Sequence, residues 1–303
     1  MNHPTLLNRR EFVSRAAAVA ALAATAPLVA LAEPASRFRV IAFSKPFADL
    51  NFEDTADLVA DVGWDGIECP VRAKAGQIVP DRVEEDLPKM VEALRKRGKE
   101  VTIVTTEITK INPLAEKILR TTAKLGIRKY RLGFEKYTKD KPVPETVREL
   151  GAQLKDLAAL NRELGLQAGW QNHSGADYVG APIWDIWTMI KDLDPKTMGI
   201  CFDIAHATIE GGLSWPVQAR LMEPFYVAVF LKDFRWEKTD KGWQPIWYNF
   251  GEGAVQKSFL TNLKKSAFNG PLCQHHEYKT LGTGKEMIAN MKRDLATLRE
   301  WLS

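Results

Sequence analysis

Cysteine and histidine are scarce in this chain, with three and five copies in 303 residues. Cys69, Cys201 and Cys273 form no C-x-x-C pair, and an odd number argues against a disulfide-built scaffold. Each lies in an apolar, strand-like run and reads as a small buried hydrophobe, although one pair could close in an oxidising compartment. No lysine and arginine run reaches the five to eight residues of a nucleic-acid patch, and the net charge is only +4. Both facts argue against nucleic acid as a partner. No G-x-G-x-x-G follows the first apolar run, so a dinucleotide fingerprint is missing. The 45% hydrophobic and 26% charged composition sits at the globular average, which excludes a disordered chain, a fibre or a multi-span membrane protein.

The N-terminus sets the expected compartment. Asn8-Arg9-Arg10-Glu11-Phe12-Val13 precedes an apolar run from Ala16 to Ala32 that ends Ala30-Leu31-Ala32 before Glu33. This reads as a twin-arginine (Tat) signal peptide over residues 1–32 with an A-x-A cleavage site, exporting residues 33–303 to the periplasm. The alternative, a short membrane anchor, is weakened by alanine richness and a length below the ~20 residues of a stable span. No stable membrane span is expected in the mature form. The segment takes three arginines and one glutamate with it, leaving a net charge of +2. Tat substrates travel folded, often with a cofactor loaded, which hints weakly at a cofactor here.

From Phe38 onward one unit recurs: a β-branched or apolar run, a polar turn, then an amphipathic stretch closing near glycine. Strands are expected at 39–43, 66–69, 101–105, 129–133, 167–171, 198–203, 226–232 and 272–277. Helices are expected at 52–62, 82–97, 115–125, 145–164, 183–193, 215–222, 257–267 and 285–302. Gly63, Gly98, Gly126 and Gly165 each stand where a helix needs a left-handed C-terminal residue. Eight alternating units predict an α/β fold, a single-domain (β/α)8 TIM barrel, over the competing doubly wound open sheet. Residues 233–253 form the longest irregular stretch and carry Trp236, Trp243, Trp247 and Tyr248. They read either as a β-hairpin packed on the rim or as an aromatic cover giving a sugar-stacking wall.

His3 leaves with the signal, and the other four histidines all fall at strand ends: His173, His206, His275 and His276. Carboxylates share those ends at Glu68, Glu107, Asp203, Asp233 and Glu277, joined by Lys232. In a barrel such ends converge on one mouth, and a His, Asp and Glu cluster supplies the N and O donors of a divalent cation. Strand alternation puts His275 and Glu277 on one face and His276 on the other. Carboxylates deep in strands cost several kcal/mol unless paired or metal-bound, which favours functional roles for Asp203 and Glu277.

Gly66-Ile67-Glu68, Trp170-Gln171-Asn172-His173-Ser174, Phe202-Asp203-Ile204-Ala205-His206, Leu231-Lys232-Asp233 and Glu277 together resemble the xylose isomerase-like TIM barrels, the sugar phosphate isomerase/epimerase superfamily. The resemblance covers the mature chain. It implies a Mn, Mg, Co or Zn ion held by a strand-five Glu, the Asp of D-x-x-H, a strand-seven His and the last-strand Glu. It also implies proton transfer between adjacent sugar carbons through an ene-diolate, with two glutamates as acid and base. The chain departs twice, with Gln171 at the strand-five Glu position and Phe230 at the strand-seven His position. Gln171 cannot act as a general base, and Phe230 cannot bind metal.

The expected function is therefore a sugar isomerase or epimerase, assisted by a divalent metal (Mn, Co, Mg or Zn) and abstracting a proton next to a carbonyl. A β-eliminating lyase or hydratase on keto-glycosides and a non-catalytic carbohydrate-binding protein are the alternatives. Expected metal ligands are Asp203, Glu277, His275 and Gln171. Glu277, His173, His206 and Lys232 are the expected catalytic groups. Glu68, Gln171, Asn172 and Trp247 are expected to contact a small-molecule sugar. A phosphodiester-cleaving activity would want more histidines and a basic surface.

Overall fold

Parallel strands covered on both faces must be apolar throughout rather than alternating, and the strands here obey that rule. In the computed structural model, which describes residues 37–74 and 76–303, the strands Met198–Asp203 and Tyr226–Leu231 are buried at every position. The barrel strands are β1 (Val40–Phe43), β2 (Gly66–Pro70), β3 (Glu100–Thr105), β4 (Lys129–Arg131), β5 (Gln167–Gln171), β6 (Met198–Asp203), β7 (Tyr226–Leu231) and β10 (Leu272–Gln274). They pair in parallel, and β10 returns to β1, so the sheet is a closed barrel. The expected signal segment, residues 1–32, lies outside the described residues. Among those described, no helix is long and apolar enough to cross a membrane.

The crossover helices are α1 (Phe52–Val62), α2 (Val83–Arg95), α3 (Pro113–Lys124), α4 (Val143–Leu164), α5 (Trp184–Ile190), α7 (Trp215–Met222), α8 (Ser258–Leu263) and α9 (Gly284–Leu302). Local chemistry accounts for the ends of α1. The Asn51 side chain accepts from Asp54 N, and Gly63 at φ 97 ends the helix in the left-handed region.

Packing divides into two cores. Between sheet and helices lies the larger one, which includes Trp64, Trp170, Phe202 and Leu295. Inside the barrel, Ile41, Phe43, Ile103, Cys201, Val227, Phe230 and Cys273 form a smaller one. All three cysteines are free and buried, as small hydrophobes are. A Cβ on Gly169 would come 2.4 Å from Cys201 Sγ, so only glycine lets β5 and β6 pack this closely at that layer.

One element follows a reading the sequence offered and one is new. Within residues 233–253 the β-hairpin is formed: β8 (Asp233–Thr239) and β9 (Gly242–Tyr248) pair antiparallel. Asp233 clamps its base. Oδ1 accepts from Phe234 N (2.8 Å) and Val255 N (3.0 Å), and Oδ2 accepts from Gly251 N (3.1 Å) and Gly253 N (3.0 Å). A further helix, α6 (Ile204–Gly211), follows β6 directly. Asp203 is its N-cap, with Oδ1 accepting from His206 N at 3.1 Å, so the D-x-x-H spacing is one capped helical turn.

Candidate active site

The strand ends converge on one mouth, and a cleft of about 470 Å³ opens there, within the size range of small-ligand sites. Phe43 at the end of β1 and Lys45 beyond it, His173 after β5, Trp247 of β9, and His276, Glu277 and Tyr278 after β10 are among the residues that line it. Two barrel elements that lie far apart in sequence, the β5 and β10 ends, therefore present His173 and Glu277 to a common space.

His173 is held in one tautomer. Its Nδ1 lies 2.9 Å from the Ser174 carbonyl oxygen, which can only accept, so Nδ1 carries the proton and Nε2 keeps its lone pair. Burial and the nearby Lys232 cation lower its pKa from 6.5, leaving the ring neutral at neutral pH. His206 stacks on it with ring centroids 4.1 Å apart but is almost completely buried. Its Nδ1 accepts from Ser174 N at 3.1 Å, which puts the proton on Nε2. Burial, then Lys232, hold His206 well below its usual pKa. Expected as catalytic, His206 is buried and does not line the cleft; its Nδ1 holds Ser174, whose carbonyl holds His173.

Lys232, 3% exposed at its side chain, lies 2.7 Å from Glu277 Oε2 and 3.4 Å from Asp203 Oδ2. Burial pulls its pKa down, but Asp203 and Glu277 outweigh that and raise it, so the ammonium persists. Its charge also faces the Trp247 ring at 4.5 Å. Lys232, reinforced by Lys45 at 3.8 Å, holds Glu277 well below the usual carboxylate range. Glu277 retains 27% side-chain exposure and can accept hydrogen bonds from a ligand's hydroxyls.

The remaining expected site residues point elsewhere. Glu68, expected to bind substrate, is fully buried inside the barrel. Its Oε1 takes Thr105 Oγ1 and the Arg131 guanidinium (3.3 Å), and its Oε2 takes His275 Nε2 (2.8 Å) and Cys273 Sγ (3.2 Å). Both oxygens are engaged inside the barrel and neither reaches the cleft. Burial opposes ionisation, yet Arg131 and His275 prevail and lower the Glu68 pKa to about 2. Asn172, also expected on substrate, is buried and spent on Asp203: Nδ2 donates to its carbonyl (2.9 Å) and Oδ1 accepts from its N–H (2.8 Å). Gln171 bridges Arg131 Nη1 (2.6 Å) and Asp203 Oδ2 (2.9 Å). Trp247 does line the cleft, edge-on to His206 at 5.3 Å.

The expected metal set fails a test of its donors. His275 lies on the barrel's inward face, opposite His276, as strand alternation predicts, but its ring is stacked between Phe43 (4.8 Å) and Phe230 (4.4 Å) and its Nε2 is spent on Glu68 rather than offered beside Glu277. Gln171 offers Asp203 an N–H rather than an oxygen, and Lys232 stands between Asp203 and Glu277. The group Glu68, Cys273 and His275 brings its donor atoms within 4.8 Å, a possible metal-binding triad. There, Arg131 already supplies the cation, and burial holds the Cys273 thiol far from the thiolate a metal requires. Neither place fits a divalent ion in this arrangement.

Sequence reasoning missed Arg131, Ser174, Arg72 and Lys45. A charged residue inside the short β4 strand was the available signal for Arg131, since a buried guanidinium demands a carboxylate. Among the described residues no carboxylate lies within ion-pair distance of Arg72, and its Nε is buried without a hydrogen-bond partner. Burial and Arg131 lower its pKa to about 10.

Solved structures share this fold at low sequence identity. A D-tagatose 3-epimerase-like protein superposes with a TM-score of 0.65 at 17% identity, over 88% of this chain and 97% of its own. The 3-keto-D-glucoside 4-epimerase of E. coli gives 0.65 at 14% identity, over 87% and 99%. A xylose isomerase-like TIM barrel protein from Mycobacterium smegmatis in complex with magnesium gives 0.63 at 14%, over 88% and 98%. No curated protein is a significant match in sequence. The family profile described as xylose isomerase-like TIM barrel matches residues 56–301. The chain belongs to the xylose isomerase-like TIM barrel family.

Proposed function

We propose that this protein is an enzyme that moves a proton on a carbon next to the carbonyl of an unphosphorylated sugar or keto-sugar. One observation carries the reading: His173, its Nδ1 turned to the Ser174 carbonyl, and Glu277, paired with the buried Lys232, line the same cleft. A base must be deprotonated at working pH and within reach of the substrate. His173 meets the first condition by burial and tautomer, and the second by lining the cleft.

In this reading Glu277 and Lys45 hold substrate hydroxyls, and Trp247 supplies an apolar wall for a sugar face. His173 Nε2 takes the proton from carbon and becomes an imidazolium. The electron pair moves onto the carbonyl oxygen, giving an enolate whose charge the fixed Lys232 cation stabilises. Protonation of the same carbon by water on the opposite face, with the imidazolium giving its proton to solvent, inverts it; return of the imidazolium proton to the former carbonyl carbon, with the adjacent hydroxyl proton passing to the enolate oxygen, isomerises. Loss of a group from the β-carbon would instead give elimination. The two epimerase-type relatives support the first pair of outcomes.

Asp203 touches no solvent and acts through Lys232 and His206. A two-carboxylate acid and base pair is not part of this reading, since Glu277 is neutralised by lysine and Gln171 is an amide. That same neutralisation favours the second reading, a sugar-binding protein without turnover. The test is solvent exchange: purified protein is incubated in deuterium oxide with a panel of 3-keto- and 2-keto-hexoses, and label in recovered sugar is read by mass spectrometry. Deuterium at one carbon of at least one sugar supports the enzyme. Saturable binding with no label on any member would refute it in favour of the binding protein. Export to the periplasm through residues 1–32 is part of the same proposal and agrees with an unphosphorylated substrate.

A further inference from the structure

We infer that the Lys232 ammonium is the permanent cation of this mouth, and that it takes the position between Asp203 and Glu277 where a divalent metal ion would otherwise bind. The inference concerns the cation alone and stands whatever the substrate proves to be.

A metal ion needs lone pairs on several sides, whereas the groups around the Asp203 carboxylate present protons. Lys232 Nζ lies 3.4 Å from Asp203 Oδ2, and Gln171 Nε2 donates to the same oxygen at 2.9 Å. His206 Nε2 is 3.7 Å from it and carries the ring proton, because Ser174 N donates to Nδ1. Oδ1 is used by His206 N at the start of α6. The Gln171 amide cannot turn over without cost, since its oxygen accepts from Arg131 Nη1 at 2.6 Å.

Across the site, Glu277 Oε2 accepts from Lys232 at 2.7 Å and its Oε1 faces Lys45 at 3.8 Å. The strand-seven residue two positions before Lys232 is Phe230, whose ring packs on His275 inside the barrel and offers no nitrogen. Two carboxylates thus share one ammonium in a buried space, an arrangement with the charge of a bridged cation but a covalent tether. A tethered cation cannot be lost to chelators, exchanged for another metal or left unloaded.

Metal binding tests this directly. Wild-type protein, stripped with chelator and dialysed, is titrated with Mn2+, Co2+ and Zn2+ by calorimetry, and its melting temperature is followed alongside. The same is done for Asp203→Asn and Lys232→Met. Wild type is expected to take up no ion that depends on Asp203 and to show the same melting temperature with and without metal. Lys232→Met, which leaves the two carboxylates without a cation, is expected to melt lower and to recover part of that loss when a divalent ion is added. One equivalent bound by wild type and lost in Asp203→Asn would overturn the inference. If Lys232→Met does not fold, the wild-type and Asp203→Asn titrations decide the matter alone: uptake equal in both leaves the mouth without a metal, and a difference of one equivalent refutes it.

Discussion

Replacing Glu68 by glutamine separates a structural carboxylate from a substrate-binding one, because the two roles predict opposite readouts. The side chain is fully buried, hydrogen-bonded to Thr105, His275 and Cys273 and ion-paired with Arg131. Glutamine matches its shape but removes the charge and turns an amide N–H toward His275 and Cys273. Arg131, 2% exposed, is left in the barrel without its carboxylate, and breaking such a pair costs about 3–5 kcal/mol. The lowered pKa gives an independent figure. A drop from 4.5 to about 2, at 1.36 kcal/mol for each pH unit, corresponds to about 3 kcal/mol.

The sign follows from linkage. The folded-state pKa lies below the unfolded one, so this stabilisation is complete above pH 4.5 and disappears as the pH falls toward 2. Denaturant unfolding followed by circular dichroism should therefore show Glu68→Gln destabilised by about 3–5 kcal/mol at pH 7, a melting shift of roughly 6–20 °C for a domain of this size. The gap to wild type should narrow as both are acidified below pH 4.5. A variant of wild-type stability at pH 7 with weakened sugar binding would refute the structural assignment and restore the expectation drawn from sequence.

Other consequences follow from the same geometry. Asp233→Ala removes an acceptor serving four backbone N–H groups at the hairpin base. It should cost about 3 kcal/mol and shift tryptophan fluorescence to the red as Trp247 becomes wetter. Trp247→Ala removes the cleft wall and the face that meets Lys232, and should weaken sugar binding about tenfold with little change in stability. N-terminal sequencing of protein recovered from the periplasm should begin at Glu33, and substitution of Arg9 and Arg10 by lysine should leave the precursor in the cytoplasm.

Much of the fold was legible because its local signals agree with its packing. The α1 helix begins and ends where the sequence reading placed it, with Asn51 and Gly63 marking both ends. Parallel strands announce themselves as apolar runs, and eight of them return as a closed barrel. The α6 helix was missed because its eight residues follow β6 without a loop, and its cap, Asp203, read as a ligand. The site was legible in its membership more than in its connections. His173, Glu277 and Trp247 do meet at one cleft, with Lys232 buried behind Glu277, and alternation put His275 on the inward face, but spacing could not show that its ring would be spent on Glu68. Spacing also could not show that Lys232 would stand between Asp203 and Glu277, since a lysine beside two carboxylates reads equally as partner or neighbour.

Whether His173 is the neutral base that faces substrate is tested by the rate of deuterium incorporation into a turned-over keto-sugar by wild type and His173→Gln, in chelator and across pH 4–8. Wild type should exchange at full rate through neutral pH and lose activity only below pH 6.5, where the lowered His173 pKa lies. His173→Gln should bind the sugar yet exchange it about 10²–10⁴-fold more slowly. Exchange undiminished in His173→Gln, with the same pH profile as wild type, would contradict the account.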